Sequence, residues 1–229
     1  MSWLSNFLTS SIGQKLIMSL TGLFLILFLL VHLVGNLQLL YNDGGEAFNI
    51  YAEFMTTNPL IKISSIGLYA FILLHAIQGI LIWRKNRAAR SDRYAVKSRS
   101  TSSFASRNMA WLGIIIFVFL ILHMWQFWFQ MKFGSLPLAA YDHDGHLKEV
   151  KDLYTPVSYA FSQIGYVIFY VFSMIVVGFH LLQGFQSSFQ TLGLGHIRFS
   201  GLVKFFGIVY AILVPLGFAI IPIYFYFFK

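Results

Sequence analysis

Polar and charged residues divide the chain into five long apolar runs: Leu16–Leu40, Pro59–Trp83, Met109–Phe129, Val157–Phe189 and Leu202–Phe228. Each is long enough to cross a bilayer, whose hydrocarbon core of about 30 Å takes about 20 helical residues. The pattern predicts an all-α fold, a polytopic membrane bundle of five transmembrane helices forming one domain over residues 1–229. The first run is too long for a signal-peptide core and has no clear small-residue cleavage site, so it reads as a retained helix. Pro215 and Pro222 fall inside the last run and predict a kink whose freed carbonyls neighbouring helices must satisfy. Ser103 or Ser106 is placed to cap the third helix. Asn42-Asp43-Gly44-Gly45 and Asp142-His143-Asp144-Gly145 read as turns.

Composition sharpens this picture. The chain is 58% hydrophobic and only 10% charged, which excludes an ordinary soluble domain. It contains no cysteine, so disulfides, cysteine-ligated iron–sulfur clusters and covalent C-x-x-C-H haem attachment are excluded. The net charge of +8 reads as topogenic charge rather than a nucleic-acid footprint. Arg84, Lys85, Arg87, Arg90, Arg93, Lys97, Arg99 and Arg107 crowd the connection between the second and third runs, and Lys15, Arg198 and Lys204 share their side. Every acid except Asp92 lies on the other side. By the positive-inside rule the amino terminus is cytoplasmic and the carboxyl terminus outside.

Against this apolar background four histidines stand out, each in a different run: His32, His75, His123 and His180. An imidazole at membrane depth has no water to bond, and an unsatisfied polar group there costs several kcal/mol. One such residue reads as a satisfied core histidine. Four, one per helix, ask for a common partner, and haem iron takes neutral imidazole nitrogens. Without cysteine such a haem is b-type. At 1.5 Å of rise per residue, His32 and His123 lie about 24 and 22 Å from the cytoplasmic face, His75 and His180 about 12 and 16 Å. They form an outer pair and an inner pair about 10 Å apart in depth, as two bis-histidine haems in a four-helix bundle require. Gly35, Gly79, Gly178 and Gly184 lie within a turn of these histidines, where small residues serve either cofactor approach or ordinary helix packing. His143, His146 and His196 read as solvated loop residues.

Several segments carry a resemblance to a known family. They are Ser11-Ile12-Gly13-Gln14-Lys15 leading into Ser19-Leu20-Thr21-Gly22-Leu23-Phe24, then Val31-His32-Leu33, His75, Ser106-Arg107-Asn108-Met109 and His123. The most specific is Gly178-Phe179-His180-Leu181-Leu182-Gln183-Gly184-Phe185, followed by Ser188-Phe189-Gln190-Thr191-Leu192-Gly193. Over nearly its whole length the chain resembles the cytochrome b membrane-anchor subunit of bacterial succinate dehydrogenase and fumarate reductase, of the five-helix, two-haem kind. The resemblance implies a subunit of the cytoplasmic membrane that holds two haem b groups and anchors an FAD flavoprotein and an iron–sulfur protein on the cytoplasmic face. It implies electron transfer between them and a quinone, usually menaquinone, in the bilayer. It implies His32 with His123 on the outer iron and His75 with His180 on the inner. Glu53 is the candidate for the family's acid at an outer quinol site, the alternative being an exposed loop carboxylate. Ser19 could line an inner quinone or propionate site or bond its own backbone, and Arg107 could pair with a propionate or face water. Gln183 departs from the aromatic or histidine that the family often has there.

Two other readings compete. A hydrogenase or formate dehydrogenase anchor also uses transmembrane histidines, but one ligand in each of four helices and the Gly184–Gly193 run stand against it. A proton-coupled transporter with a histidine relay would place acids or a broken helix at mid-membrane, and no Asp, Glu, Lys or Arg interrupts the cores of the first four runs.

Overall fold

A computed structural model describes residues 6–7, 9–89, 103–143, 146–194 and 197–229, with the side chains of 143, 146 and 197–199 left aside. Most of the arginine-rich connection lies outside these residues, as do Asp144, Gly145 and His196. The described elements, in chain order, are α1 (Ser11–Asn36) continued by a 3₁₀ turn (Leu37–Leu40), α2 (Glu46–Thr57), α3 (Pro59–Ala88) and α4 (Phe104–His123). A π-helical turn (Met124–Trp128) joins α4 to α5 (Phe129–Phe133). Then come β1 (Leu138–His143), β2 (His146–Lys151), α6 (Tyr154–Phe161), α7 (Ile164–Thr191) and α8 (Ile197–Phe228). Five helical segments, Ser11–Leu40, Pro59–Ala88, Phe104–Phe133, Ile164–Thr191 and Ser200–Phe228, are long and apolar enough to cross a membrane. The protein is a multi-pass membrane helical bundle.

Local chemistry sets the ends. Ser10 caps α1 through the Gly13 amide, Asn58 caps α3 with Pro59 at its first position, and Ser103 caps α4 through the Ser106 amide. Gly44 and Gly45 take positive φ, +67° and +91°, and the Asp43 carboxylate accepts from the Gly45 and Ala47 amides to start α2. The Val157–Phe189 run is not one span. It breaks at Ser162 and Gln163, where Gln163 is extended, so that α6 stops and α7 begins at Ile164. The two polar side chains interrupt the apolar pattern, and the Ser162 hydroxyl bonds back to the Tyr159 carbonyl.

α1, α3, α4 and α7 pack as a square, with contacts along all four edges and no extended packing across either diagonal. α8 lies outside the square against α7 and α1. It runs unbroken through Pro215 and Pro222. Pro215 frees the Ala211 carbonyl, and α7 meets that oxygen with Gly178, where an added Cβ would lie 3.1 Å from it. A residue without a side chain is what lets the two backbones approach this closely. Tyr210 donates its hydroxyl to the Ile26 carbonyl and ties α8 to α1. α3 has no buried residue at all, and Leu27, Ile63 and Phe227 are 66%, 69% and 67% exposed. Lipid chains would cover such surfaces in a bilayer.

Side-chain contacts sort the ends of the bundle. Lys85 donates to Gln14 Oε1 at 2.8 Å, so the start of α1 and the end of α3 share one end. Lys229 donates to the Tyr41 carbonyl and the Tyr154 hydroxyl, each at 2.9 Å, so the carboxyl terminus is at the opposite end. That end carries a cap: α2, α6 and an antiparallel hairpin of β1 with β2, paired from Leu138 with Lys151 to His143 with His146. Asn49 of α2 holds the cap together. It is 0% exposed and uses all four of its hydrogen-bonding positions. Its Nδ2 donates to the Tyr141 hydroxyl at 2.8 Å and to Asp152 Oδ1 at 3.0 Å. Its Oδ1 accepts from the Leu153 and Tyr154 amides, both at 3.0 Å.

Candidate functional site

The four span histidines meet in two pairs, and each pair joins helices on a diagonal of the square. His32 of α1 and His123 of α4 have ring centres 5.9 Å apart. His75 of α3 and His180 of α7 have ring centres 6.3 Å apart. Two imidazoles sharing one metal ion need ring centres roughly 6.4 Å apart, from metal–nitrogen bonds of about 2.0 Å and roughly 1.2 Å from nitrogen to ring centre. The two rings are steeply inclined in both pairs, at 86° and 69°. Among the described residues no group of three or more His, Cys, Asp or Glu side chains is placed to hold a metal ion. A metal that brings its own equatorial ligands, as a porphyrin iron does, needs only two.

Neighbouring oxygens select the tautomer of two of these rings. The Thr21 hydroxyl donates to the Ile17 carbonyl at 2.8 Å, so towards His75 Nδ1, 3.2 Å away, it can only accept. The Tyr170 hydroxyl donates to Gln126 Oε1 at 3.0 Å and lies 3.4 Å from His123 Nδ1, which places the phenol in the same accepting role. In each case the contact is a hydrogen bond when the proton is on Nδ1, which leaves the lone pair on Nε2, the arrangement of a metal-binding imidazole. His32 differs. The Asn36 amide nitrogen donates to the His32 carbonyl at 2.7 Å and sits almost equally far from Nδ1 and Nε2, 3.3 and 3.5 Å, towards the Cε1 side of the ring. His180 Nδ1 is buried with no hydrogen-bond partner among the described residues, and so is Gln78 Oε1, one turn beyond His75. A buried polar atom left unpaired costs about 1–3 kcal/mol. Both orphans belong to helices that supply the inner pair, and a bound polar group there would relieve them.

Glycines make room beside the inner rings. A Cβ on Gly22 would lie 3.1 Å from His75 Cε1 and 3.6 Å from Ser188 Oγ, and one on Gly113 would lie 3.6 Å from His180 Cε1. The glycines picked out in the sequence serve other contacts: Gly35 faces the Tyr51 ring, Gly79 Met18, Gly178 the Ala211 carbonyl and Gly184 Met109. Spacing from a histidine in sequence cannot reveal a glycine that approaches it from another helix. The contacts also set the distance between levels. About 15 Å of helix rise separates Gly22 from His32, and Gly113 from His123. This exceeds the 10 Å obtained by counting from the ends of the apolar runs, which do not mark one depth: α4 begins five residues before Met109, whereas α7 ends two residues after Phe189. Between the levels Phe24 and Phe71 meet edge to face, with ring centres 4.8 Å apart. Around the outer pair Phe28 stacks on His32 and Phe119 on His123, and Phe218 of α8 also reaches His32.

The remaining candidates lie apart from the ring contacts. Ser19 is 5% exposed and donates to the Lys15 carbonyl at 3.0 Å, so its proton is held by its own helix while its lone pairs stay available. Glu53 is half-buried on α2, not in an irregular loop, and its backbone carbonyl accepts from the Thr56 and Thr57 hydroxyls. Arg107 is exposed in the first turn of α4. Gln183 donates to the Ser187 hydroxyl at 2.8 Å and accepts from Ser103 at 3.3 Å, which fixes the start of α4 to α7. Comparison of the chain with models of known families, with characterised proteins and with solved structures found no match.

Proposed function

We propose that the chain is a dihaem cytochrome b anchor of a succinate:quinone oxidoreductase, carrying electrons between a cytoplasmic iron–sulfur subunit and menaquinone in a bacterial cytoplasmic membrane. One observation carries the haem assignment: two imidazole pairs, each bridging a diagonal of one four-helix square, at ring-centre separations of 5.9 and 6.3 Å. The diagonals are where helices leave space for a flat group between facing side chains. The choice of enzyme rests on the sequence resemblance and on the charge bias, which puts the arginine-rich end in the cytoplasm beside a flavoprotein and an iron–sulfur partner.

Haem b, when bound, supplies a reversible one-electron carrier at each level. The chain's own residues supply the rest. His32 and His123 hold the outer iron, and His75 and His180 the inner. Thr21 and Tyr170 keep the proton of their imidazole on Nδ1. Gly22 and Gly113 leave the inner rings free of side-chain bulk. The phenylalanines around the outer rings exclude water. Ser19 and Arg107 are the candidate contacts for propionates or an inner quinone, and Glu53 for a quinol at the capped end.

The test is spectroscopic. Purified protein should show a Soret band and two haem b per chain, and His→Ala at any of the four positions should remove one. Alanine at His32 or His123 should spare the inner haem. A colourless preparation, or two haems retained in all four variants, would reject the haem assignment. Co-purification of flavin- and iron–sulfur-containing partners tests the enzyme assignment separately.

A further inference from the structure

The π-helical turn Met124–Trp128 follows His123 directly, and wide turns of this kind are frequent at functional sites. It carries Gln126, whose side-chain oxygen accepts the Tyr170 proton at 3.0 Å. Tyr170 is 6% exposed, and its ring is boxed by Phe119, Phe127 and Phe161 at centre distances of 5.2, 6.2 and 5.0 Å. None of these rings offers a hydrogen-bond acceptor. Among the described residues the one other hydrogen-bonding group at the Tyr170 hydroxyl is His123 Nδ1, 3.4 Å away.

A phenol has one proton to give. While Gln126 holds it, Tyr170 presents only lone pairs to His123, and the imidazole proton stays on Nδ1. Without Gln126 the phenol proton turns to the one remaining acceptor, Nδ1. The imidazole proton is then displaced to Nε2, and the lone pair that a metal requires is lost. We infer that Gln126 is a positioning residue that sets the His123 tautomer through Tyr170. Among the described residues the inner pair has no equivalent, because the Thr21 proton is taken by carbonyls of its own helix. The outer level alone depends on an acceptor from a separate, irregular turn.

The inference rests on the proposed function only for what binds Nε2, and the tautomer itself can be read without haem. Three variants of the full chain separate this role from a packing role: Gln126→Met, which keeps length without a good acceptor; Tyr170→Phe, which removes the phenol proton; and the double variant. Gln126→Met should weaken outer-haem retention by about 10- to 100-fold, the range typical of lost supporting contacts around a metal ligand. Tyr170→Phe should lose less, and the double variant should return to the level of Tyr170→Phe. In haem-free protein with ¹⁵N-labelled histidine, the His123 resonances should report the Nδ1–H tautomer in wild type and Nε2–H in Gln126→Met only. A double variant worse than either single variant overturns the inference, as does an unchanged tautomer in Gln126→Met. If wild-type protein binds no haem, the proposed function fails while the tautomer measurement still decides this inference.

Discussion

Replacing Asn49 with leucine should release the cap at one end of the bundle while leaving the spans in place. Leucine has similar bulk but none of the four hydrogen bonds that Asn49 makes from a fully buried position. The Leu153 amide is buried and would be left without its acceptor. At about 1 kcal/mol for each bond, and about 1–3 kcal/mol for each buried group left unpaired, the loss is about 3–5 kcal/mol. Leu153 and Tyr154 form the entry to α6, whose Phe161 packs edge to face on Tyr170, and Tyr170 in turn backs His123. The consequence therefore runs from α2 to the outer histidine pair and not to the inner one. Hydrogen exchange followed by mass spectrometry on peptides spanning 147–161 is the assay. About 3 kcal/mol of local stability corresponds to roughly a hundredfold loss of protection. Peptides from the centre of α3 should be unaffected. Asn49→Asp should be at least as damaging, because it removes both donors and turns a carboxylate towards Asp152. Protection within a factor of about three of wild type in Asn49→Leu would refute the reasoning, since even about 1 kcal/mol exceeds that.

Three further outcomes follow from particular contacts. Gly178→Ala should destabilise the α7–α8 interface by about 1–3 kcal/mol, since its Cβ would meet a backbone oxygen at 3.1 Å; Gly165→Ala, with open space around it, is the control, and thermal unfolding in detergent reads both. Gly22→Val should displace the His75 ring and, on the proposed function, lower the inner-haem content while the outer haem stays, as read by difference spectra. Asp152 supplies a pH dependence. Partial burial opposes its charge, but the Thr155 hydroxyl and amide and the Asn49 amide outweigh burial and hold its carboxyl below the ordinary value. A depressed folded-state value stabilises the cap above the ordinary aspartate range, and that contribution is lost as pH falls below about 4. Pepsin cleavage within 138–155 should rise across this window in wild type, and Asp152→Asn should flatten the dependence.

Span number, the assignment of one histidine to each of four spans, and a cap of α4 at Ser103 or Ser106 were legible in the sequence, because each depends on residues within a turn or a run of one another; the structure chose Ser103. Hydropathy over about 20 residues decides whether a segment can cross a bilayer, whatever it packs against. The division of the histidines into levels also follows from counting along helices of known rise. Their separation does not, because the ends of apolar runs on neighbouring helices do not lie at one depth. Only the tertiary structure decided which nitrogens found partners. Thr21 meets His75, and Gln126 reaches His123 through Tyr170, because of the rotational phase of helices that are remote in sequence. The same holds for Gly22 and Gly113 beside rings on other helices, for the meeting of Gly178 with the carbonyl freed by Pro215, and for Asn49, a polar residue in an outer loop until four groups from the hairpin and α6 close around it. Local pattern reports what a segment can bury; long-range packing determines which atoms it is buried against.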